Sequence, residues 1–212
     1  DLGGADLNSV NLRSVNLSKG NLDAADLRNG NLSYAFLLNV NLRKTNFEGA
    51  DLSYAKLGGA KLSGVVLKRA NLSFVDLRNV KFDGADLRYG NLSYAKLSGA
   101  DLSYVKFDGA DLRNVDLSDA KLSGADLSGA NLFGVKLTGA DLSGANLSGA
   151  NLNSADLSGA DLSGANFTGA NLSFVDLRNV KLNGADFDGA ELLDTKLDSG
   201  VNLSGAKLDE LR

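Results

Sequence analysis

Large apolar residues recur at every fifth position of this chain, from Leu2 to Leu197, without a miss. Of those forty positions thirty-five are Leu, and Phe47, Phe82, Phe107, Phe167 and Phe187 fill the rest. Two places earlier the residue is small. It is mostly Ala, with Val in eleven pentads and Gly20, Gly30, Gly90, Thr45 and Thr195 as exceptions. Immediately before the Leu stands Asp, Asn or Lys in nearly every pentad, and the two residues after it are mostly Ser, Arg, Asn or Gly. The pattern is purest from Ala140 to Ala170.

Neither a helix, with period 3.6, nor a flat strand, with period 2, keeps one residue in five on a common face over such a length. A coil that turns a corner every five residues does. If each pentad is one side of a square, the Leu and the small residue point inward and the other three face solvent. Four sides make a coil of about twenty residues, and coils stack at the strand spacing of about 4.7–4.9 Å, so that the backbone groups pair with the coils above and below. Leu or Phe fills the centre while Ala or Val lets the corners close at interior density. Each large side chain buried this way contributes roughly 1.5–3 kcal/mol, and stability becomes a sum over coils and their neighbours.

The recurring Ala-(Asp/Asn)-Leu-Ser-Gly resembles the repeat of the pentapeptide-repeat proteins, and the likeness runs from Asp1 to about Leu208. The resemblance implies an all-β fold, a right-handed quadrilateral β-helix. About ten stacked coils would form a rod about 45–50 Å long. Residues 1–197 are expected to form one continuous solenoid. After Leu197 the phase slips by one residue through Asp198, Ser199 and Gly200 before resuming at Leu203 and Leu208, so 198–212 is expected to be a last partial coil and C-terminal cap ending in KLDELR.

Along the rod, Asp1 to Thr45 departs furthest from the consensus, with Gly20 and Gly30 at inward positions and Phe36 and Leu38 at outward ones. A loose or partner-covered pair of first coils is the expectation. The segment NLSFVDLRNV occurs at 71–80 and again at 171–180, five coils apart and therefore on one side of the rod.

Sorting positions by twenty brings most outward large apolar groups onto one stripe. Tyr34, Tyr54, Phe74, Tyr94 and Phe174 share a column, and Phe133 and Leu193 lie one position before it. The stripe reads either as a stacking ladder between coils or as an interaction surface. Elsewhere the same turn position carries Gly, Asn, Asp or Ser, which accept the positive φ of a type II turn. Tyr and Phe do not, so this side is expected to turn differently. Tyr89, Tyr104 and Val66 lie off the stripe.

Composition narrows the chemistry. There is no Cys, His, Met, Trp or Pro, which removes disulfides, thiol chemistry and the usual soft metal ligands. That restricted alphabet fits a consensus-derived or engineered sequence, and a start at Asp1, in register, fits an excised or tag-cleaved chain. Asp and Ser are abundant only because pentad positions favour them, and no break in the pattern makes a convergent pocket, so no enzyme, cofactor or metal site is expected. Stacked carboxylates such as Asp141 and Asp161 offer a hard cation too few oxygens. The net charge of −4 arises from 22 basic and 26 acidic residues and reads as well mixed. Lys56, Lys96 and Lys136 share a column but Asp interrupts it, which argues against direct nucleic-acid binding. With no apolar leader or span, a cytoplasmic location without membrane contact is expected.

Two functional readings follow. One is a non-enzymatic structural β-solenoid scaffold with no built-in ligand. The other is implied by the resemblance: some family members mimic duplex DNA and bind and inhibit DNA gyrase, so gyrase is a partner under that alternative alone. The oligomeric state stays open on the sequence, with the aromatic stripe and the C-terminal end as the two routes to a homodimer.

Overall fold

A computed structural model describes residues 1–200; Leu203, Leu208 and the KLDELR ending lie outside the described residues. The chain forms a right-handed quadrilateral β-helix with no helix among the described residues. Its four sides are numbered here in chain order. Side 1 starts at Asp1, side 2 at Asp6, side 3 at Asn11 and side 4 at Asn16, and each recurs every twenty residues. From Asp6 with Asp26 to Asp176 with Lys196, the residue before the Leu forms a parallel bridge to its counterpart twenty residues on, except between Lys61 and Lys81 and between Asp156 and Asp176.

Every backbone N–H of a typical pentad finds an acceptor, which explains the consensus residue by residue. In the pentad centred on Leu142, Leu142 N–H donates to Asp161 O at 2.8 Å and Asp141 N–H donates to Ala120 O at 3.0 Å, tying the coil to both neighbours. Gly144 N–H donates to Ser163 O at 2.9 Å, and Ala145 N–H closes the corner onto Leu142 O at 3.0 Å. The remaining donor, Ser143 N–H, is taken by the Asp141 carboxylate at 3.0 Å. Asp or Asn is preferred before the Leu because its side-chain oxygen caps the N–H two residues on, an Asx turn. Lys cannot do this, and leaves that N–H to solvent.

The inward Leu, Phe, Ala and Val form one continuous core from Leu22 to Leu192. Phe47, Phe107 and Phe167 recur at three-coil intervals in the side 2 column, and Phe167 meets Phe187 at 5.1 Å between ring centroids. Thr45 and Thr195 stay satisfied inside by donating to Leu22 O at 2.7 Å and Leu172 O at 2.8 Å.

The first coils are not loose. Asp26, Asn31, Phe36 and Asn41 all donate into the preceding coil at 2.8–3.0 Å, because a glycine at the corner removes a side chain but no backbone partner. The ladder opens instead in two places, both starting on side 4. The bonds expected between 55–59 and 76–78 are absent, and this opening continues onto side 1 between 60–62 and Lys81; those between 155–159 and 176–178 are absent as well. Both openings lie at the repeated NLSFVDLRNV. Its two Val residues, Val75 with Val80 and Val175 with Val180, occupy both corners of one side above Ala55, Ala60, Ala155 and Ala160. The extra methyls lift that side from the coil before it, whereas the following coil stays bonded through Leu77 N–H to Lys96 O and Leu177 N–H to Lys196 O, each 2.8 Å.

At the C-terminal end of the described rod the turn moves one residue later, to Ser199 and Gly200. The Asp198 carboxylate then takes Asn179 N–H at 2.7 Å, a bond that a backbone carbonyl makes elsewhere in the ladder.

Candidate functional surface

Four of the stripe residues form a ladder on side 3. Ring centroids are 4.9 Å apart for Tyr34 and Tyr54, 4.8 Å for Tyr54 and Phe74, and 5.0 Å for Phe74 and Tyr94, with planes within 5° of parallel. The Arg13 guanidinium extends the stack, lying 5.0 Å from the Tyr34 ring centroid. Each ring shields the serine before it, so that Ser33, Ser53, Ser73, Ser93 and Ser173 are buried although they occupy an outward position. Phe174 shares the column with no ring above or below it, and Phe133 and Leu193 are exposed and outside the ladder.

The expected change of turn on this side does not occur. Tyr34, Tyr54, Phe74, Tyr94 and Phe174 have φ of 60–62°, the same left-handed conformation as the glycine corners. A left-handed residue with a side chain costs about 1–2 kcal/mol. The reason it is adopted is the ladder: only this geometry aims the turn N–H at the next coil, as in Tyr34 N–H to Ser53 O at 2.9 Å. Off the stripe, Tyr89 and Tyr104 fold over the glycine of the next coil, leaving no room for a Cβ at Gly109 or Gly124.

Charge follows a local rule as well. In each Asp-Leu-Arg the arginine folds back onto the aspartate two residues earlier, forming bidentate pairs at Asp76–Arg78, Asp86–Arg88 and Asp176–Arg178. Hydrogen bonding from Arg178 holds the Asp176 carboxyl at about 2. Such a depressed group stabilises the fold above the usual carboxylate range, about pH 4, and that contribution is lost as the pH falls through about 2. A carboxyl-carbon NMR titration is expected to place the Asp176 midpoint near 2, and Arg178→Ala is expected to return it upward. An ordinary midpoint in the unsubstituted chain would refute the pairing in solution.

Along the rod axis, charge is not well mixed. Residues 1–100 carry thirteen basic and nine acidic groups, residues 101–200 seven basic and fifteen acidic. Summing the halves separately would have revealed this split, which the total conceals. Among the described residues no three His, Cys, Asp or Glu are placed to hold a metal ion. The side 4 openings are shallow grooves, one lined by Leu38, Lys56, Gly58, Asp76, Arg78 and Asn79, the other by Ser158, Gly159, Asp176, Arg178 and Asn179.

A solenoid of four-sided coils, walled by short polar side chains and filled by one Leu or Phe per side, is a repeat protein of the β-helix class. The chain belongs to the pentapeptide-repeat family: the family profile described as Pentapeptide repeats matches it in successive segments that run without a gap from residue 1 to residue 210. Among solved structures it is similar to HetL, a pentapeptide repeat protein involved in heterocyst differentiation regulation from the cyanobacterium Nostoc sp. strain PCC 7120. The identity is 37%, over 93% of this chain and 91% of that one, with a TM-score of 0.52. It is also similar to a trypsin-treated variant of QnrB1, a plasmid-mediated fluoroquinolone resistance protein, at 25% identity over 88% of this chain and 91% of that one, with a TM-score of 0.56. Comparison with curated protein sequences finds no match. No helix among the described residues is long and apolar enough to cross a membrane.

Proposed function

We propose that this protein is a non-enzymatic β-solenoid scaffold that acts through its flat outer walls and carries no built-in ligand. The observation that carries the reading is the filled interior: large side chains occupy the centre of the rod, and the ionisable groups stand on its walls. A wall of regularly spaced short side chains can present a surface to another macromolecule but cannot surround a small substrate. Membership of a family that includes HetL and QnrB1 agrees with this.

The alternative is the DNA-mimicking gyrase inhibitor, and the acidic second half of the rod is what favours it. Duplex DNA carries one charge per about 1.7 Å, hence about 14 over the roughly 24 Å of five coils. Residues 101–200 have an acidic excess of eight, a little over half of that. A gyrase supercoiling assay with the purified chain at micromolar concentration separates the two readings. The scaffold reading expects unchanged supercoiling. Inhibition without retention of DNA would replace it with the mimic, the acidic half being the working surface.

A further inference from the structure

The bridge positions of side 4 read Lys56, Asp76, Lys96, Asp116, Lys136 and Asp156, an alternation of charge over six consecutive coils. We infer that side 4 is a self-association surface, on which two copies of this chain pack wall to wall as antiparallel rods.

The charge order dictates the arrangement. A two-fold axis lying in the contact plane, perpendicular to the rods and midway between Lys96 and Asp116, reverses one rod while keeping each column opposite itself. Lys56 of one copy then faces Asp156 of the other, Asp76 faces Lys136, and Lys96 faces Asp116, with every contact repeated by symmetry. Parallel rods in register would set Lys on Lys and Asp on Asp. The antiparallel pair also sets the basic half of each copy against the acidic half of its partner.

The groups involved are available. Among the described residues the Lys56, Lys96 and Lys136 ammoniums have no carboxylate within 4.0 Å, whereas Lys181 and Lys196 do. Asp116 is held by Ser118 and Asp156 by Ser158 and Thr138, neutral donors that leave the carboxylate charge in place. Asp76 is already paired with Arg78, so the Lys56 to Asp156 and Lys96 to Asp116 contacts carry the attraction.

Between Lys96 and Asp156 the positions beside the bridge column are short, Ser98, Ser118, Thr138 and Ser158, and the one charged corner there, Asp119, comes opposite Gly99 of the other copy. The shallow groove at Lys56 and Arg78 lies at the end of the strip. In this arrangement Phe36 and Leu38, 44% and 40% exposed on the free rod, come over Asp176 and Arg178 of the other copy. The Arg178 guanidinium, held flat by its bidentate pair with Asp176, offers a planar face on which an aromatic ring can stack.

Side 1 has a related order, with Lys61, Lys81 and Asp101 opposite Asp161, Asp141 and Lys121. There, however, Asp161 is already bound by Lys181 at 3.0 Å, and Tyr104, 76% exposed, stands above the wall. Sides 2 and 3 have, respectively, one Lys and none at their bridge positions.

The paired strip from Lys56 to Asp156 spans about 24 Å, five coil rises. One wall of that length buries less than the roughly 800 Å² per partner of a standard interface, so the association is weak and driven by charge. Sedimentation equilibrium at about 100 μM protein is expected to show the mass rising from 22.0 kDa toward twice that in about 20 mM salt, and returning to monomer in about 0.5 M salt. A monomer under every condition overturns the inference. Register is tested with two variants of identical composition that share one substitution. K96D/D116K exchanges two facing charges and keeps every contact complementary, whereas D116K/K136D creates Lys against Lys and Asp against Asp. The first is expected to dimerise as the parent does, and the second to remain monomeric. Both dimerising, or both failing while folded by circular dichroism, overturns side 4 as the surface. If neither variant folds, the salt series of the parent chain decides.

Discussion

Phe107→Ala is expected to lower the unfolding free energy by about 3–5 kcal/mol, the range for removing a buried aromatic from a packed core. Phe107 is fully buried, and its neighbours in the column, Leu87 and Leu127, are equally closed off. Those neighbours are held at fixed spacing by ladder bonds such as Leu87 N–H to Lys106 O at 2.9 Å and Phe107 N–H to Asp126 O at 2.7 Å, so the coil cannot collapse into the space left behind. Phe107→Leu restores the residue found elsewhere in the column and is expected to cost less than about 1.5 kcal/mol. Leu193→Ala, at an outward position, should change stability by no more than about 0.5 kcal/mol. Denaturant titration reads all three. Because each coil contacts only its neighbours, amide exchange in Phe107→Ala should accelerate first between about residues 87 and 127 and leave the distant coils protected. A loss below about 1 kcal/mol would mean that the interior is not closed at this level.

How far the sequence revealed the molecule depends on which interactions set each position. The inward residues are chosen by shape alone, so one apolar group in five with a small residue two places earlier was sufficient to give the square coil. The Asp or Asn before the Leu was visible as a preference but not as a cap, because its role depends on a turn N–H whose direction only the folded corner defines. The aromatic corners went against propensity. Tyr54 and Phe74 adopt the left-handed conformation because each corner must pass its N–H to the next coil, and tertiary bonding outweighs a local penalty of about 1–2 kcal/mol. The side 4 openings required two observations combined, the repeat of NLSFVDLRNV and the fact that its Val residues occupy both corners of one side above Ala. The charge order on that side was present in the column of Lys56, Lys96 and Lys136, where the intervening Asp residues looked like interruptions. Against a reversed copy of the same column they are the complement.

The second large effect is expected on side 3. Replacing Tyr54, Phe74 and Tyr94 together by Asn keeps residues that tolerate positive φ at those corners and removes the three stacked contacts, at about 0.5–1.5 kcal/mol each. A net loss of about 2–4 kcal/mol is expected, including the cost of uncovering Ser53, Ser73 and Ser93, and some strain is relieved in return. The loss should appear as early melting of the coils between about residues 34 and 114, followed by site-resolved amide exchange. If the ring column is chiefly an internal ladder, the mass in low salt stays that of the parent chain, since side 4 is untouched. If the ring column is instead a docking surface, the same variant keeps its melting point and changes its mass. The two outcomes are separable because stacking acts between coils of one chain, whereas docking exists only at concentrations where two chains meet. Arg13 offers an independent reading within the ladder. Its guanidinium caps the Tyr34 ring, so Arg13→Ala should shift the Tyr34 ring resonances and leave those of Tyr94, three coils away, unchanged.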